Sequence, residues 1–453
     1  MTASSAELAA QLPKKTNRKL SHIPGDYGLP VFGYTYEFFT DFPGLIKRKN
    51  EQYGDVFRYN AIFQNVINLI GPDANEFVLK DQDKNFSSKL AWDTVLEELF
   101  PNGLMLRDFD NHKYHRKILQ AAFKKPAMQG YVNKMNPALA DGVQKWPVNK
   151  EFSFFEHIKA LLLSTGADLF LGIKMGKEAD KVNKSFVAAV DASLALVRLM
   201  IPGTTWYRGM KGRRYLEKFI GDLVAQKRIS NSNDFFTQIC HAEGEHGERL
   251  SDQEIIDHMI FLLFAAHDTT TSTLTSLLYC LTKHPEWQDE LRQEMLGFNK
   301  DAVTYDDLQE MEKTTWVFKE TLRMHPPLPT IPRRAVRECE YNGYKIPKNA
   351  TVGVHPIHTH FMEEYWTNPY QFDPERWSTE RAEYKKHFYQ FVPFGGGAHK
   401  CLGLNFAEIQ SKVFLFQFLT RYKASVKPGY EMKTQLVPLA MPKDGFPIKI
   451  ERI

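Results

Sequence analysis

The chain lacks a long hydrophobic run near its start. No segment there reaches the roughly 18 to 20 apolar residues that a membrane span needs. No apolar core followed by a small-residue cleavage site marks a secretory leader either. The opening instead reads as a short helix from Ser5 to Leu12 and then a basic stretch, Lys14-Lys15 to Lys19. Residues 1–22 are therefore expected to form a mobile tail, and the protein to be soluble and cytoplasmic. Cysteine is scarce: Cys240, Cys280, Cys339 and Cys401 are the four in 453 residues, and none forms a CxxC pair. That argues against a disulfide framework. A charge excess is missing too. The 58 basic and 54 acidic residues leave a net charge of +4, too small an imbalance to argue for nucleic acid. There is no zinc-knuckle or helicase-type pattern, no repeat and no low-complexity tract. With 43% hydrophobic and 25% charged residues, the composition is that of a folded globular protein.

What is present is mostly helical. After a Pro/Gly-punctuated opening, Ile23 to Pro30, a helix is expected from Pro43 to Tyr53, ending at Gly54. Val56 to Asn60 and Asn65 to Ile70 alternate like two strands. Helical patterns dominate from Pro72 to Met324, where Pro326 and Pro327 stop them. Short strands are expected from Arg334 to Val354, helix from Leu402 to Arg421, and strands again at the end. This is an α-rich α+β class. The longest apolar run, Ile255 to Leu281, is hydrophobic all round at Met259 to Ala266. A buried helix fits it better than a membrane span, because Asp257, His258, His267, Asp268 and seven Ser/Thr residues would be expensive in lipid.

The strongest chemical signal is Phe394-Gly395-Gly396-Gly397-Ala398-His399-Lys400-Cys401-Leu402-Gly403, followed at once by an apolar helix. A Gly-rich turn lets backbone amides approach a sulfur closely. The N-terminus of the next helix adds its dipole. Such a turn suits a thiolate that ligates iron. Glu320 and Arg323 stand three apart on one helical face, and Phe372-Asp373-Pro374-Glu375-Arg376-Trp377 follows. Ala265-Ala266-His267-Asp268-Thr269-Thr270 places a carboxylate and a hydroxyl side by side within the apolar helix, as proton delivery to dioxygen requires.

Together these motifs resemble the cytochrome P450 superfamily, in order and spacing, over about Ile23 to Ile450. The resemblance implies that fold as one heme domain over 23–453, mostly helical with small β-sheets, with heme b buried between the long central helix and the cysteine-loop helix. It implies Cys401 as the axial iron ligand, Phe394, Gly395 and Gly403 around the sulfur, and Ala265 against the heme face. His399, together with His112 and Arg116 in Asn111-His112-Lys113-Tyr114-His115-Arg116-Lys117, would meet the propionates. Arg333 would do so too, although the adjacent Arg334 is an alternative. Glu320, Arg323 and Arg376 would form a buried ion triad behind the loop. Asp268 and Thr269 would be catalytic. The family usually has Gly where Ala266 stands, and the extra methyl puts the shape of the oxygen groove in question.

The implied activity is monooxygenation of an apolar substrate, isoprenoid, retinoid, sterol or fatty-acid-like, using O2 and two external electrons. The opening Pro24 to Pro30 and Ile201 to Lys211 are similar to the clan holding retinoic acid hydroxylases and plant abscisate and brassinosteroid hydroxylases. No flavin or iron–sulfur signature is present, so a ferredoxin or flavodoxin-type donor with its reductase is implied. Lys400, Lys113 and Lys117 could form its docking face. A peroxide-driven hydroxylase or isomerase of the same fold is disfavoured by the Asp268-Thr269 pair. A heme-thiolate sensor without turnover remains as an alternative.

Overall fold

The structure is a computed structural model that describes residues 4–10, 20–172, 177–193, 195, 198–232, 234–244, 247–437 and 439–453. The expected first helix is present as Ser5–Ala10; Leu12 and the basic stretch from Lys14 to Lys19 lie outside the described residues. Helix accounts for 55% of the chain and the strands form small sheets, which agrees with an α-rich α+β class.

The main sheet has five strands: β1 (Val56–Ala61), β2 (Gln64–Leu69), β3 (Phe86–Ser87), β4 (Ile331–Ala335) and β5 (Thr351–Val354), in spatial order β1-β2-β5-β4-β3. β2 runs parallel to β5, with Val66 opposite Thr351, and the other neighbours are antiparallel. β1 and β2 run further into their turn than alternation suggests. The cause is a two-residue hairpin, Ile62-Phe63, with φ of 49° and 60°. This turn type normally advertises itself through Asn or Gly; two apolar residues hide it. Asp26 ties the Pro/Gly-rich opening to helix Phe42–Tyr53. Its carboxylate accepts from Lys49 Nζ at 2.6 Å and from the Tyr53 hydroxyl at 2.9 Å.

The apolar run forms a central helix, Asp252–Lys283, of 32 residues. It starts at a reciprocal capping box between Ser251 and Glu254, which satisfies two of its free amides. Among the described residues, no helix is long and apolar enough to cross a membrane. Most polar side chains in this buried helix are paired internally, although the Ser272 hydroxyl and His258 Nδ1 have no partner among the described residues. Asp257 binds Arg213 at 2.8 Å, and His258 meets His115 at 3.0 Å. The hydroxyls of Thr269, Thr270, Thr271, Thr273 and Thr275 each donate to the carbonyl four residues earlier. Back-bonding of this kind lets a helix carry threonine through a core without stranded donors. The cysteine-loop helix, Leu404–Leu419, is buried on nearly every side.

The ion triad forms on helix Glu312–Met324. Arg323 binds Glu320 through two bonds, at 2.8 and 2.9 Å, and Arg376 Nε donates to Glu320 at 3.0 Å. The Trp377 indole and the Asp373 amide complete the carboxylate, each at 3.0 Å. All three charged side chains have no accessible surface. Two further members were not legible in sequence. Glu383 takes the other side of Arg376 at 2.8 Å. His360 sits between the Arg323 carbonyl and the Val392 amide, 3.0 Å from each. Val392 in turn accepts from Gly395, so the triad reaches the cysteine loop through one imidazole. Replacing Glu320 by Gln leaves the buried Arg323 without its anion and takes one of Arg376's carboxylate partners. The expected loss is about 3 to 5 kcal/mol, seen as a lower melting temperature and loss of the folded loop in thermal denaturation followed by circular dichroism.

Candidate active site

The cysteine loop is shaped by backbone constraints. The Cys401 amide donates to the Phe394 carbonyl at 2.9 Å, and the Lys400 amide to Gly397 at 3.2 Å. Gly395 and Gly397 take φ of 67° and 60°, and a Cβ on Gly397 would lie 1.9 Å from the Leu79 carbonyl oxygen. Only glycine fits there. Phe394 stacks on Phe318, with ring centroids 6.4 Å apart. Gly403 is the N-cap of the following helix and faces open space, so its amide can approach the sulfur. Burial pushes the Cys401 thiol up; the Gly403 N–H and the charges of Arg116 and Lys400 pull it down. Cys401 nevertheless carries accessible surface. The sulfur is thus both accessible and strongly desolvated, as a group recessed beneath surrounding protein is.

The central helix shows a matching feature. Ala265 is exposed in the middle of this largely buried helix. The Thr269 hydroxyl donates to the Ala265 carbonyl at 2.8 Å, so these two share a face. Phe100, Phe261 and Phe264 cluster nearby, with Phe100 and Phe264 at 4.4 Å and Phe261 and Phe264 at 6.0 Å; Phe100 and Phe261 are buried in the core and Phe264 is half-buried. Ala266 borders a small void with Leu162, Gly166, Phe170 and Phe186. The Asp268 carboxylate meets His267 Nδ1 at 2.8 Å and Lys159 Nζ at 3.9 Å. Burial would raise Asp268, but the His267 hydrogen bond and the charges of His267 and Lys159 hold it below the usual carboxylate range. Lys159 was invisible to sequence reasoning, because nothing in its local context marks it as a partner of a residue over 100 positions away. His267 packs: it is buried at 7% exposure and makes an edge contact with Phe186.

A basic cluster completes the site. His112 and His399 lie with ring centroids 3.9 Å apart. Desolvation, then Arg116 and Arg333, press His112 down to about 4. Burial and Arg333 also hold His399 well below its usual range. Arg333 is 6% exposed, and burial lowers it to about 10 against the pull of Asp108 and Asp81. Among the described residues, neither Arg116 nor Arg333 lies within ion-pairing distance of a carboxylate. Asp108, the nearest acid by charge, is already taken up by Ser87, Ser88 and Lys89. Arg333 and Arg334 point to opposite faces of their strand: Arg333 interacts with the His112–His399 side, and Arg334 with Asp93.

A desolvated thiol beside a helix N-terminus, near the half-buried Arg116 and the buried Arg333, has the character that an anionic, thiolate-ligated cofactor needs. The sequence profile described as Cytochrome P450 matches residues 23–450, and this chain belongs to that family. It is 36% identical to cytochrome P450 136 of Mycobacterium tuberculosis, over 95% of this chain and 88% of that protein. It is 26% identical to abscisic acid 8'-hydroxylase 4 of Arabidopsis thaliana, over 97% of this chain and 94% of the relative. Cyanobacterial CYP120A1 with retinoic acid bound superposes with a TM-score of 0.86 at 26% identity, covering 95% of this chain and 99% of that one. The protein is a monooxygenase of the P450 family, and the family's cofactor is heme held through a thiolate.

The residues present fit that cofactor. Among the described residues no cluster of three or more His, Cys, Asp or Glu side chains could hold a bare metal ion. Iron at a lone thiolate must therefore arrive with its other ligands, as it does in heme. The two carboxylates of heme match the two unpaired guanidinium groups.

Buried neutral imidazoles give the protein an acid limit. His112 and His115 are held at about 4, and His355 and His360 at about 3, each chiefly by burial, against an ordinary 6.5. Between 6.5 and these values the unfolded chain binds protons that the folded chain refuses, so stability falls as pH falls. The melting temperature is expected to be flat above about pH 7 and to drop through pH 6 to 4, before most carboxylates titrate. A melting temperature that holds steady down to about pH 4 contradicts this reading.

Proposed function

We propose that this monooxygenase hydroxylates an apolar, isoprenoid-type substrate, in a single heme domain spanning 23–453, with Cys401 as the axial ligand. The observation that carries the reading is the desolvated Cys401 thiol near Arg116 and the buried Arg333, neither of which has a carboxylate within ion-pairing distance among the described residues. Bound heme supplies the redox chemistry that splits dioxygen and places one oxygen atom on substrate. The chain's residues do the rest. The Gly403 amide, the helix N-terminus and Arg116 stabilise the negative sulfur. Phe394 covers it, and the turn at Gly395 lets the backbone pass close by. Arg116, Arg333, His112 and His399 hold the propionates. Arg333 is preferred to Arg334 because it shares its side of the strand with the imidazole pair.

The Asp268 carboxylate, hydrogen-bonded to His267, lies next to Thr269 in sequence and can pass a proton toward the face formed by Ala265 and Thr269. The Thr269 hydroxyl, donating to its own helix, leaves oxygen lone pairs free to accept from a water or a substrate hydroxyl. Ala266 directs its methyl at the void beside Phe170 and Phe186, which supports an open face at Ala265 and Thr269.

The exposed Ala265 and the half-buried Phe264 on the central helix support an apolar substrate. Abscisic and retinoic acids, which appear in the names of two similar proteins, are both apolar isoprenoid carboxylic acids. Electrons come from an external partner. Lys113, Lys117 and Lys400 are exposed in the chain segments that carry His112 and His399, which suits an acidic ferredoxin or flavodoxin.

The first test is the carbon monoxide difference spectrum of the reduced protein. Wild type is expected to show the red-shifted Soret band of thiolate-ligated heme, and Cys401→Ser to lose it. A well-folded wild type without that band refutes the assignment of Cys401. Arg333→Ala should purify with a reduced heme-to-protein ratio, whereas Arg334→Ala should keep the ratio and lose thermal stability. Equal heme loss in both contradicts the strand-face argument. Titration with retinoic and abscisic acids should displace axial water, seen as a blue shift of the Soret band. If neither these acids nor neutral isoprenoids shift it, the substrate class is wrong.

A further inference from the structure

His267 has hydrogen-bond acceptors at both ring nitrogens. Nε2 lies 3.1 Å from the Lys159 carbonyl, which can only accept. Nδ1 lies 2.8 Å from Asp268 Oδ1. A neutral imidazole with its hydrogen on Nδ1 would turn a lone pair on the Lys159 carbonyl, so that tautomer is excluded. Two arrangements remain. Either His267 is an imidazolium against the Asp268 carboxylate, or Nε2–H imidazole accepts from a protonated Asp268. In both, one proton sits between Nδ1 and Oδ1.

Two cavities lie on the His267 side of the pair and share Leu163 and Asn183 as lining. Beside Ala266 and His267 is a void of about 20 Å³, lined also by Leu163, Asn183 and Gln410. This is room for one water. Leu163 and Asn183 also line a surface groove of about 400 Å³, together with Lys184, Asp191, Thr205 and Arg208. The groove lies between helices Phe154–Gly166, Lys177–Ser193 and Thr205–Ile229. Charged groups from all three helices face the pair: Lys159 lies 3.9 Å from Asp268, and Asp191 interacts with Lys159, Asp268 and Arg208.

We propose that His267 and Asp268 jointly hold one acidic proton, deliver it toward Thr269, and are recharged from this groove. The inference rests on the roles proposed above for Asp268 and Thr269. When the proton leaves Oδ1 for the chamber, the Asp268 carboxylate faces the bare Nδ1 lone pair, which is repulsive. The Lys159 ammonium then holds the carboxylate until a solvent proton returns by way of the groove and the single water position. One proton leaves and one enters, so the pair ends as it began. His267 is a positioning and proton-holding residue; it acts through Asp268.

The test uses the intact heme-loaded enzyme. Nitrogen-15 histidine NMR of the diamagnetic ferrous carbon monoxide form, with the His267→Phe spectrum for assignment, should show Nε2 protonated and Nδ1 protonated or strongly hydrogen-bonded. An Nδ1–H neutral tautomer, or a freely titrating ring, overturns the proposal. In turnover with retinoic acid, His267→Phe keeps the aromatic packing and should cut product per electron by roughly tenfold or more, with electrons diverted to hydrogen peroxide and a larger solvent isotope effect. His267→Asn, whose amide can still donate to Asp268, should restore part of the coupling. Asp191→Asn, at the groove, should shift the pH profile of coupling without changing the carbon monoxide spectrum. Wild-type coupling in both His267→Phe and Asp191→Asn refutes the proposal. A wild-type enzyme that makes no product defeats the substrate or monooxygenase reading instead; the NMR result still decides the proton position.

Discussion

The buried Glu320 carboxylate is the point on which the cysteine loop depends. It accepts from Arg323, Arg376, the Trp377 indole and the Asp373 amide, all out of contact with water. A charge in that position is tolerable only because every lone pair is used. The consequences spread outward through atoms whose roles are fixed. Arg323 holds the His360 carbonyl, and His360 holds both the Arg323 carbonyl and the Val392 amide. Since its Nε2 accepts from an amide, the hydrogen of His360 is on Nδ1. Burial keeps that ring neutral. A structural ion pair is thus converted, through one imidazole of defined tautomer, into the position of the loop that bears Cys401.

The site itself has the opposite electrostatic character. Around Glu320 each charge is met within the protein. Around Cys401, Arg116 and Arg333 are desolvated with no carboxylate in ion-pairing range among the described residues, and burial, helped by their charge, keeps two stacked imidazoles below their usual range. Such an arrangement is costly in isolation, and an anionic cofactor would relieve it. On the far side of the cavity the central helix again satisfies itself. Its threonines bond their own carbonyls, and Asp268 is held by His267 and Lys159. The same molecule uses internal neutralisation where it needs rigidity and withholds it where a cofactor must bind.

Much of this was legible before any tertiary contact was known. Gly395 and Gly397 announce a loop with left-handed backbone, and Gly397 proved to be pressed against Leu79. The i,i+3 spacing of Glu320 and Arg323 put them on one face, and the all-round apolarity of the central run put it in the core. Less was legible where a partner lies far away in sequence. Lys159, Glu383 and Asp191 carry no local mark, and the Ile62-Phe63 turn lacks the residues that usually betray it. Pro24 to Pro30 and Ile201 to Lys211, read as clan resemblance, turn out to have structural duties: Asp26 knots the opening to the first sheet-flanking helix, and Thr204 caps the helix that follows.

Sequence by itself determined the helices, the thiol and its glycine turn, the acid–alcohol pair and the family, because each is written in residues that are close together or in a fixed order. Tertiary structure alone decided which of two adjacent arginines faces the imidazole pair, which nitrogen of His267 faces which acceptor, and where solvent approaches Asp268. Those outcomes depend on directions of side chains brought together from distant segments. Direction is set by packing, and spacing along the chain does not encode it.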